Sequence, residues 1–252
     1  MDSVPSLLSP PAVLAPRTQP KRPAVTPASR EWPRRSFIGR LPEPERAAML
    51  AAGAPVRFDD DEILLVQGDV GDFVYVLTSG LVKVTVAAES GAETTLVIRS
   101  RGDLMGEFAL LDEGPRTATA RAAGPVTALR VGGAAFMAAV NGSPEVQRTV
   151  TRYVLAKMRA ATDRCASERV RDARERLAQV LYELGEMHAE PGLDGLIRSP
   201  LTQGDLGELA GVAVSTAERV LKDFRKQGAV STRYREITIK SMDYLGSVRF
   251  SG

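Results

Sequence analysis

The chain has 252 residues, of which one is cysteine (Cys165) and one histidine (His188). Structural zinc needs about four Cys/His ligands and iron–sulfur clusters a comparable set of cysteines, so neither finds donors here. No disulfide can close within the chain, as in a reducing compartment, and a histidine-based triad would rest on His188 alone, with no cysteine or Gly-x-Ser-x-Gly serine near it.

The 44% hydrophobic and 25% charged fractions are ordinary for a globular protein, and the length allows one large or two ordinary domains with their own cores. The net charge of +2 conceals a segregation: +4 over residues 1–35, −5 over 36–142, zero over 143–197 and +3 over 198–252. An acidic middle and a basic end point to different partners. The longest apolar run, Ala47 to Val56, is broken by Gly53 and Pro55 and falls short of the ~18 residues of a membrane span. No basic residue precedes Leu7-Leu8, so no secretory signal is expected, and the expected location is cytoplasmic with no membrane partner.

Eight of the 16 prolines lie in residues 1–35, with Trp32 as the one aromatic. Such a segment cannot bury enough apolar surface to offset its ordering entropy, which predicts a disordered tail, either plainly solvated or a basic arm on DNA phosphates. From Arg57 the pattern becomes period two. Glu62–Leu65, Phe73–Leu77, Leu81–Val86, Thr94–Ile98, Thr117–Arg121 and Val126–Val131 read as strands, separated by turn signals at Gln67-Gly68-Asp69, Ser79-Gly80, Glu89-Ser90-Gly91 and Arg101-Gly102-Asp103. Short strands at this spacing predict an antiparallel barrel or jelly roll over residues 36–142.

Over residues 143–190 the period turns helical. Val150, Val154, Met158, Ala161 and Cys165 recur at spacings of four, four, three and four, behind a Ser143-Pro144-Glu145 start. A helix of ~25 residues is nearly 40 Å long, more than a compact domain needs, so the stripe is expected to pack outside its own domain, most simply on its twin in a homodimer. Arg171 to Glu186 reads as a second helix on Leu177, Val180, Leu181 and Leu184.

Residues 191–252 carry a reading unit. Thr202-Gln203-Gly204-Asp205 has capping-box form, a short helix ends at Gly211, and Val214 to Lys226 forms another, the helix-turn-helix layout. Leu206, Val212, Ala217, Val220 and Leu221 would bury between the two, and strands at Ala229–Thr232 and Glu236–Lys240 would add a wing. The second helix would put Val214, Ser215, Thr216, Arg219 and Lys222 at the major groove, with Thr202 also at the DNA. Arginine there can fork onto guanine, while hydroxyls and lysine mostly hold phosphates.

The stretch Gly106-Glu107-Phe108-Ala109-Leu110-Leu111-Asp112-Glu113-Gly114-Pro115-Arg116-Thr117-Ala118-Thr119 is the most specific. A glycine opening a short helix leaves free N–H groups for an anion, and an arginine ten residues on can grip a phosphate. A carboxylate beside them suits a sugar hydroxyl on the same ligand, hence a cyclic nucleotide. No nucleophile–base pair or metal set is apparent, so no enzyme activity is expected.

With these residues in view, the chain resembles transcription regulators of the Crp/Fnr (cyclic-AMP receptor protein) superfamily from about residue 40 to 245. The resemblance is carried by Gly68-Asp69-x-Gly71-Asp72-x-x-Tyr75, Ser79-Gly80-x-Val82-Lys83, the Gly106–Thr119 cassette and the helix-turn-helix. It implies an α+β architecture: an N-terminal cyclic-nucleotide-binding β jelly roll, a long dimerisation helix and a C-terminal winged helix-turn-helix. It implies Glu107 on the ribose 2′-hydroxyl, Arg116 and Thr117 on the cyclic phosphate with N–H groups near Gly106 and Phe108, and Thr162 of the long helix on the base. It implies a homodimer on double-stranded DNA, RNA polymerase as a further partner, cyclic AMP or cyclic GMP as effector, and no tightly bound cofactor. An alternative keeps the DNA binding and answers another ligand or none. The chain departs from the family's frequent Ser-Arg-Glu-Thr at the recognition helix, having Ala213-Val214-Ser215-Thr216, so the operator does not carry over, although Arg219 matches a basic position. The cysteine cluster of the oxygen-sensing branch is absent.

Overall fold

The computed structural model describes residues 31–87, 93–188, 197–233 and 236–249. Residues up to 30, the turn signal Glu89-Ser90-Gly91 and the pair Tyr234-Arg235 between the two expected wing strands lie outside the described residues.

The acidic middle is the expected jelly roll. Its strands are β1 (Ala54–Phe58), β2 (Ile63–Leu65), β3 (Phe73–Ala87), β4 (Glu93–Arg99), β5 (Leu104–Met105) and β6 (Thr119–Gly132). The path runs β1-β6-β3-β4, with β2 on β6 and β5 on β3, and all pairings are antiparallel. Period two sorts the side chains into two clusters: Val74, Val76 and Val131 on one side, Tyr75, Leu77, Val82 and Val126 on the other.

The turn expected at Ser79-Gly80 and the break expected between Arg121 and Val126 are instead bends within strands. Phe73–Leu77 and Leu81–Val86 join as β3, and Thr119–Arg121 and Val126–Val131 join as β6. The register shifts around Ser79, which pairs with Thr127, while Leu81 pairs with Ala123. Gly80 sits at φ +83°, where a Cβ would fall 2.4 Å from the Pro125 carbonyl oxygen. The Thr127 hydroxyl bonds those of Thr78 and Ser79 at 2.6 and 2.7 Å across the bend.

Helices wrap one face. α1 (Phe37–Arg40) is capped by Ser36, whose Oγ accepts from the Gly39 N–H at 3.1 Å. With α2 (Glu43–Ala51) it precedes the sheet, α3 (Glu107–Leu111) lies between β5 and β6, and α4 (Gly133–Gly142) follows. The long helix is α5 (Pro144–Val170), 27 residues. The apolar stripe expected to face outward is divided. Val150 and Val154 join Val146 and Tyr153 in the jelly roll's own core, where the Tyr153 ring meets Phe37 edge-on at 5.6 Å. Met158, Ala161 and Cys165 are exposed, and with Leu155 at 46% and Met158 at 58% exposure the second half of α5 keeps an uncovered apolar face. The division arises because α4 and α1 already cover the first half.

The C-terminal part comprises α6 (Ala173–His188), β7 (Ile197–Ser199), α7 (Gln203–Leu209), α8 (Val214–Lys226), β8 (Val230–Arg233), β9 (Glu236–Ile239) and α9 (Met242–Val248). A three-stranded β7-β9-β8 sheet forms the wing. Leu177, Leu181, Leu206, Leu221 and Phe224 build its core, and that cluster continues into Leu81, Ile98 and Ala123 of the jelly roll.

Candidate functional site: a nucleotide cassette and a DNA-reading helix

The cassette is built around a buried arginine. Gly106 ends β5 in the left-handed region, at φ +87°, and caps α3. A Cβ there would lie 2.5 Å from Arg116 Nη1, so only glycine lets the guanidinium approach. Arg116, 4% exposed, donates from Nη1 to the Gly106 carbonyl at 2.6 Å and from Nη2 to that of Phe73 at 2.7 Å. Its backbone is pinned to the preceding turn: Arg116 N–H donates to Asp69 O and Gly68 N–H to Arg116 O, both at 2.8 Å. Burial lowers the Arg116 pKa, and the carboxylates of Asp72, Glu107 and Asp69 pull it back up, with Tyr75 acting in the same sense.

Glu107 opens α3 and is 2% exposed. A carboxylate so buried needs a partner, and the long helix supplies one: Lys157 Nζ donates to Glu107 Oε1 at 2.6 Å and to the Leu104 carbonyl at 3.0 Å. The ammonium sits 4.6 Å from the Tyr153 ring centre and 5.5 Å from that of Phe108, a cation between two aromatic faces. Burial lowers the Lys157 pKa and the Glu107 carboxylate opposes the shift. Tyr153 extends the network, its hydroxyl donating to Asp103 Oδ1 at 3.0 Å and accepting from the Leu104 N–H at 3.3 Å. Burial holds its phenol well above the usual range.

Gly106, Glu107, Phe108 and Arg116 are therefore brought together, with Thr117 exposed beside the arginine. Thr162 is exposed on α5, its hydroxyl donating to the Met158 carbonyl at 3.1 Å. The α5 side chain in contact with the cassette is Lys157, which sequence reasoning missed. Its signal is a lysine in phase with Val146, Val150 and Tyr153, on the helix face that is otherwise apolar and buried.

In the C-terminal domain α8 presents Val214, Ser215, Arg219 and Lys222 on an exposed face, with Thr216 half-buried. Ala217, Val220, Leu221 and Phe224 face inward. The capping box is complete: Thr202 Oγ1 accepts from the Asp205 N–H at 3.1 Å and donates to Asp205 Oδ2 at 2.8 Å, and the Thr202 N–H donates to that oxygen at 2.7 Å. The Thr202 hydroxyl is thus engaged in the cap.

A jelly roll carrying this cassette, joined by one long helix to a winged helix-turn-helix, defines the layout of a two-part DNA-binding transcription regulator. Residues 55–143 match the family model for a cyclic nucleotide-binding domain and residues 175–248 that for a Crp-like helix-turn-helix domain. The chain is 26% identical over 200 residues to the CRP-like cAMP-activated global transcriptional regulator of Mycobacterium tuberculosis, covering 79% of this chain and 89% of that one. It is 28% identical over 184 residues to the cyclic AMP receptor protein of Thermus thermophilus, covering 73% and 82%. The solved structure of FixK2 from Bradyrhizobium japonicum shares the fold, with a TM-score of 0.69 at 21% identity over 79% of this chain and 98% of that one. The chain belongs to the Crp/Fnr family of transcription regulators.

Proposed function

We propose that the protein is a homodimeric regulator whose binding to a specific DNA sequence is controlled by a cyclic nucleotide, cyclic AMP or cyclic GMP, held in the jelly roll. The observation that carries this reading is the convergence of Glu107 and Arg116 at the N-terminal end of α3. A carboxylate for the ribose, a fork and helix-start N–H groups for the phosphate, and the Thr117 hydroxyl beside them make a site for one small anionic sugar phosphate. Lys157 ties that site to α5, and Leu155 and Met158 offer the partner protomer an apolar seam. The functional units are the tail 1–35, the sensor 36–142, the dimer and linking helices 143–190 and the reader 191–252. Val214, Ser215, Thr216, Arg219 and Lys222 meet DNA, and Thr162 the base. RNA polymerase is the further partner, and the location is cytoplasmic; among the described residues no helix is long and apolar enough to cross a membrane.

A second reading, DNA binding governed by another ligand or by none, draws on a specific observation: Glu107 is already paired with Lys157, and Arg116 with two backbone carbonyls. Calorimetry with cyclic AMP and cyclic GMP decides between them. The variant to compare is Arg116→Lys, because Arg116→Ala would leave two partly buried carbonyls without the donors they have. The proposed site requires affinity for the bound nucleotide to fall by tens of fold to about a hundredfold when the fork is lost. Heat from neither nucleotide establishes the second reading.

A further inference from the structure

Helix α7 is the first helix of the reading unit, and in a helix-turn-helix that helix crosses the DNA backbone. Here its middle, Asp205, Leu206 and Gly207, is buried, and Gln203, Gly204 and Leu209 are half-buried. Among Gln203–Leu209 only Glu208 is exposed, and Glu208 Oε2 accepts a hydrogen bond from the Thr95 N–H of β4 at 2.9 Å. One turn away Lys83 Nζ of β3 donates to Asp205 Oδ1 at 3.1 Å, both side chains being largely buried. Between these two contacts Leu206 and Ala210 share an apolar cluster with Leu81, Ile98 and Ala123 of the jelly roll. β4 is the terminal strand of its sheet path, and at its open edge the Thr95 N–H, which a further strand would pair, meets α7 instead.

Electrostatics points the same way. Residues 36–142 carry a net −5, and the seam holds this acidic domain over the helix that has to approach phosphates. We propose that the α7–β4 seam is an autoinhibitory clasp: the jelly roll occupies the surface of α7 that the DNA backbone takes, and the seam parts before DNA is bound. The inference rests on the regulator reading above and adds a residue-level device to it. An effector acts on the clasp only by binding the parted state better than the closed one, and DNA, by the same linkage, raises affinity for that effector.

The test is Lys83→Met, with Lys83→Glu as the stronger form, in the full chain. Loss of a cation by itself weakens binding to a polyanion, whereas loss of the clasp strengthens it, so the sign separates the two. Fluorescence anisotropy on DNA selected from a random pool, without nucleotide, should show Lys83→Met binding about tenfold tighter than wild type and Lys83→Glu tighter still. Unchanged or weaker binding by both variants, each folded by circular dichroism, overturns the clasp while wild-type binding to the same DNA upholds the regulator. Hydrogen exchange on the wild type decides the matter independently of either variant. The Thr95 amide should exchange slowly in the free protein and faster in the DNA complex, and equal or slower exchange in the complex overturns the proposal. If neither the wild type nor the two variants binds DNA, with or without either cyclic nucleotide, the clasp and the regulator reading are both overturned.

Discussion

Replacing Lys157 by methionine keeps most of the side-chain volume and removes the cation from a carboxylate that is 2% exposed. At 2.6 Å the attraction is about 6 kcal/mol for an effective dielectric near 20. Withdrawing the two ions from water costs several kcal/mol each, so the intact pair is close to neutral. A broken pair is not, because Glu107 keeps its desolvation cost and loses the compensation. Lys157→Met should therefore cost about 3 kcal/mol, at the low end for a buried pair because Lys157 retains 13% side-chain exposure and water can follow it in. Glu107→Gln should cost less, about 1.5 kcal/mol, since the stranded ammonium keeps the Leu104 carbonyl and two aromatic faces. The double variant, with both charges gone, should cost about 1.5 kcal/mol, giving a coupling of about 3 kcal/mol. Urea unfolding followed by circular dichroism measures all four corners of the cycle. A coupling below about 0.5 kcal/mol, the scatter expected of independent sites, would refute the buried-pair reasoning. The same variant probes the effector: a ribose hydroxyl can supply the donor that Glu107 lacks, so cyclic nucleotide should raise the melting temperature of Lys157→Met more than that of wild type.

Two further perturbations test the rest of the site. Gly106→Ala forces a Cβ to within 2.5 Å of Arg116 Nη1 at a φ of +87°; it should cost about 1–3 kcal/mol of stability and abolish nucleotide binding in calorimetry. On the reader, Arg219→Ala should lose about 1–3 kcal/mol for the selected sequence with little change for random DNA. Lys222→Ala should weaken both alike and reduce the salt slope by about one, with the opposite pattern reversing the two roles.

The domain plan was legible because each unit is encoded by local pattern: period two for the strands, a helical period over residues 143–188, and turn and cap residues at Thr202–Asp205 and Gly211. What escaped was set by distant partners. Ser79-Gly80 reads as a turn, yet it faces Gly124-Pro125 across β3 and β6, and a paired irregularity bends two long strands where a lone one would end them. The capping box expected at Thr202–Asp205 is formed, by partners only three residues apart. Lys157 lies 50 residues from Glu107. On a helix rich in arginine it looks like one more solvated charge until Tyr153 and Val150 reveal which face it shares.

Helix α5 also behaves as a lever. Its first half is screwed into the jelly-roll core through Val146, Val150 and Tyr153, while the second half stands clear of that core and leads into α6 and the reader. From Val150 to its far end the arm is about 30 Å long at 1.5 Å per residue. A tilt of about 5° at the fulcrum would displace the tip by roughly 2.6 Å. A shift of that size far exceeds the few tenths of an ångström that a hydrogen bond such as the 2.9 Å Thr95–Glu208 contact can stretch. A rigid helix of this length would let a change of charge partner at the cassette open the proposed seam, which the cassette never touches.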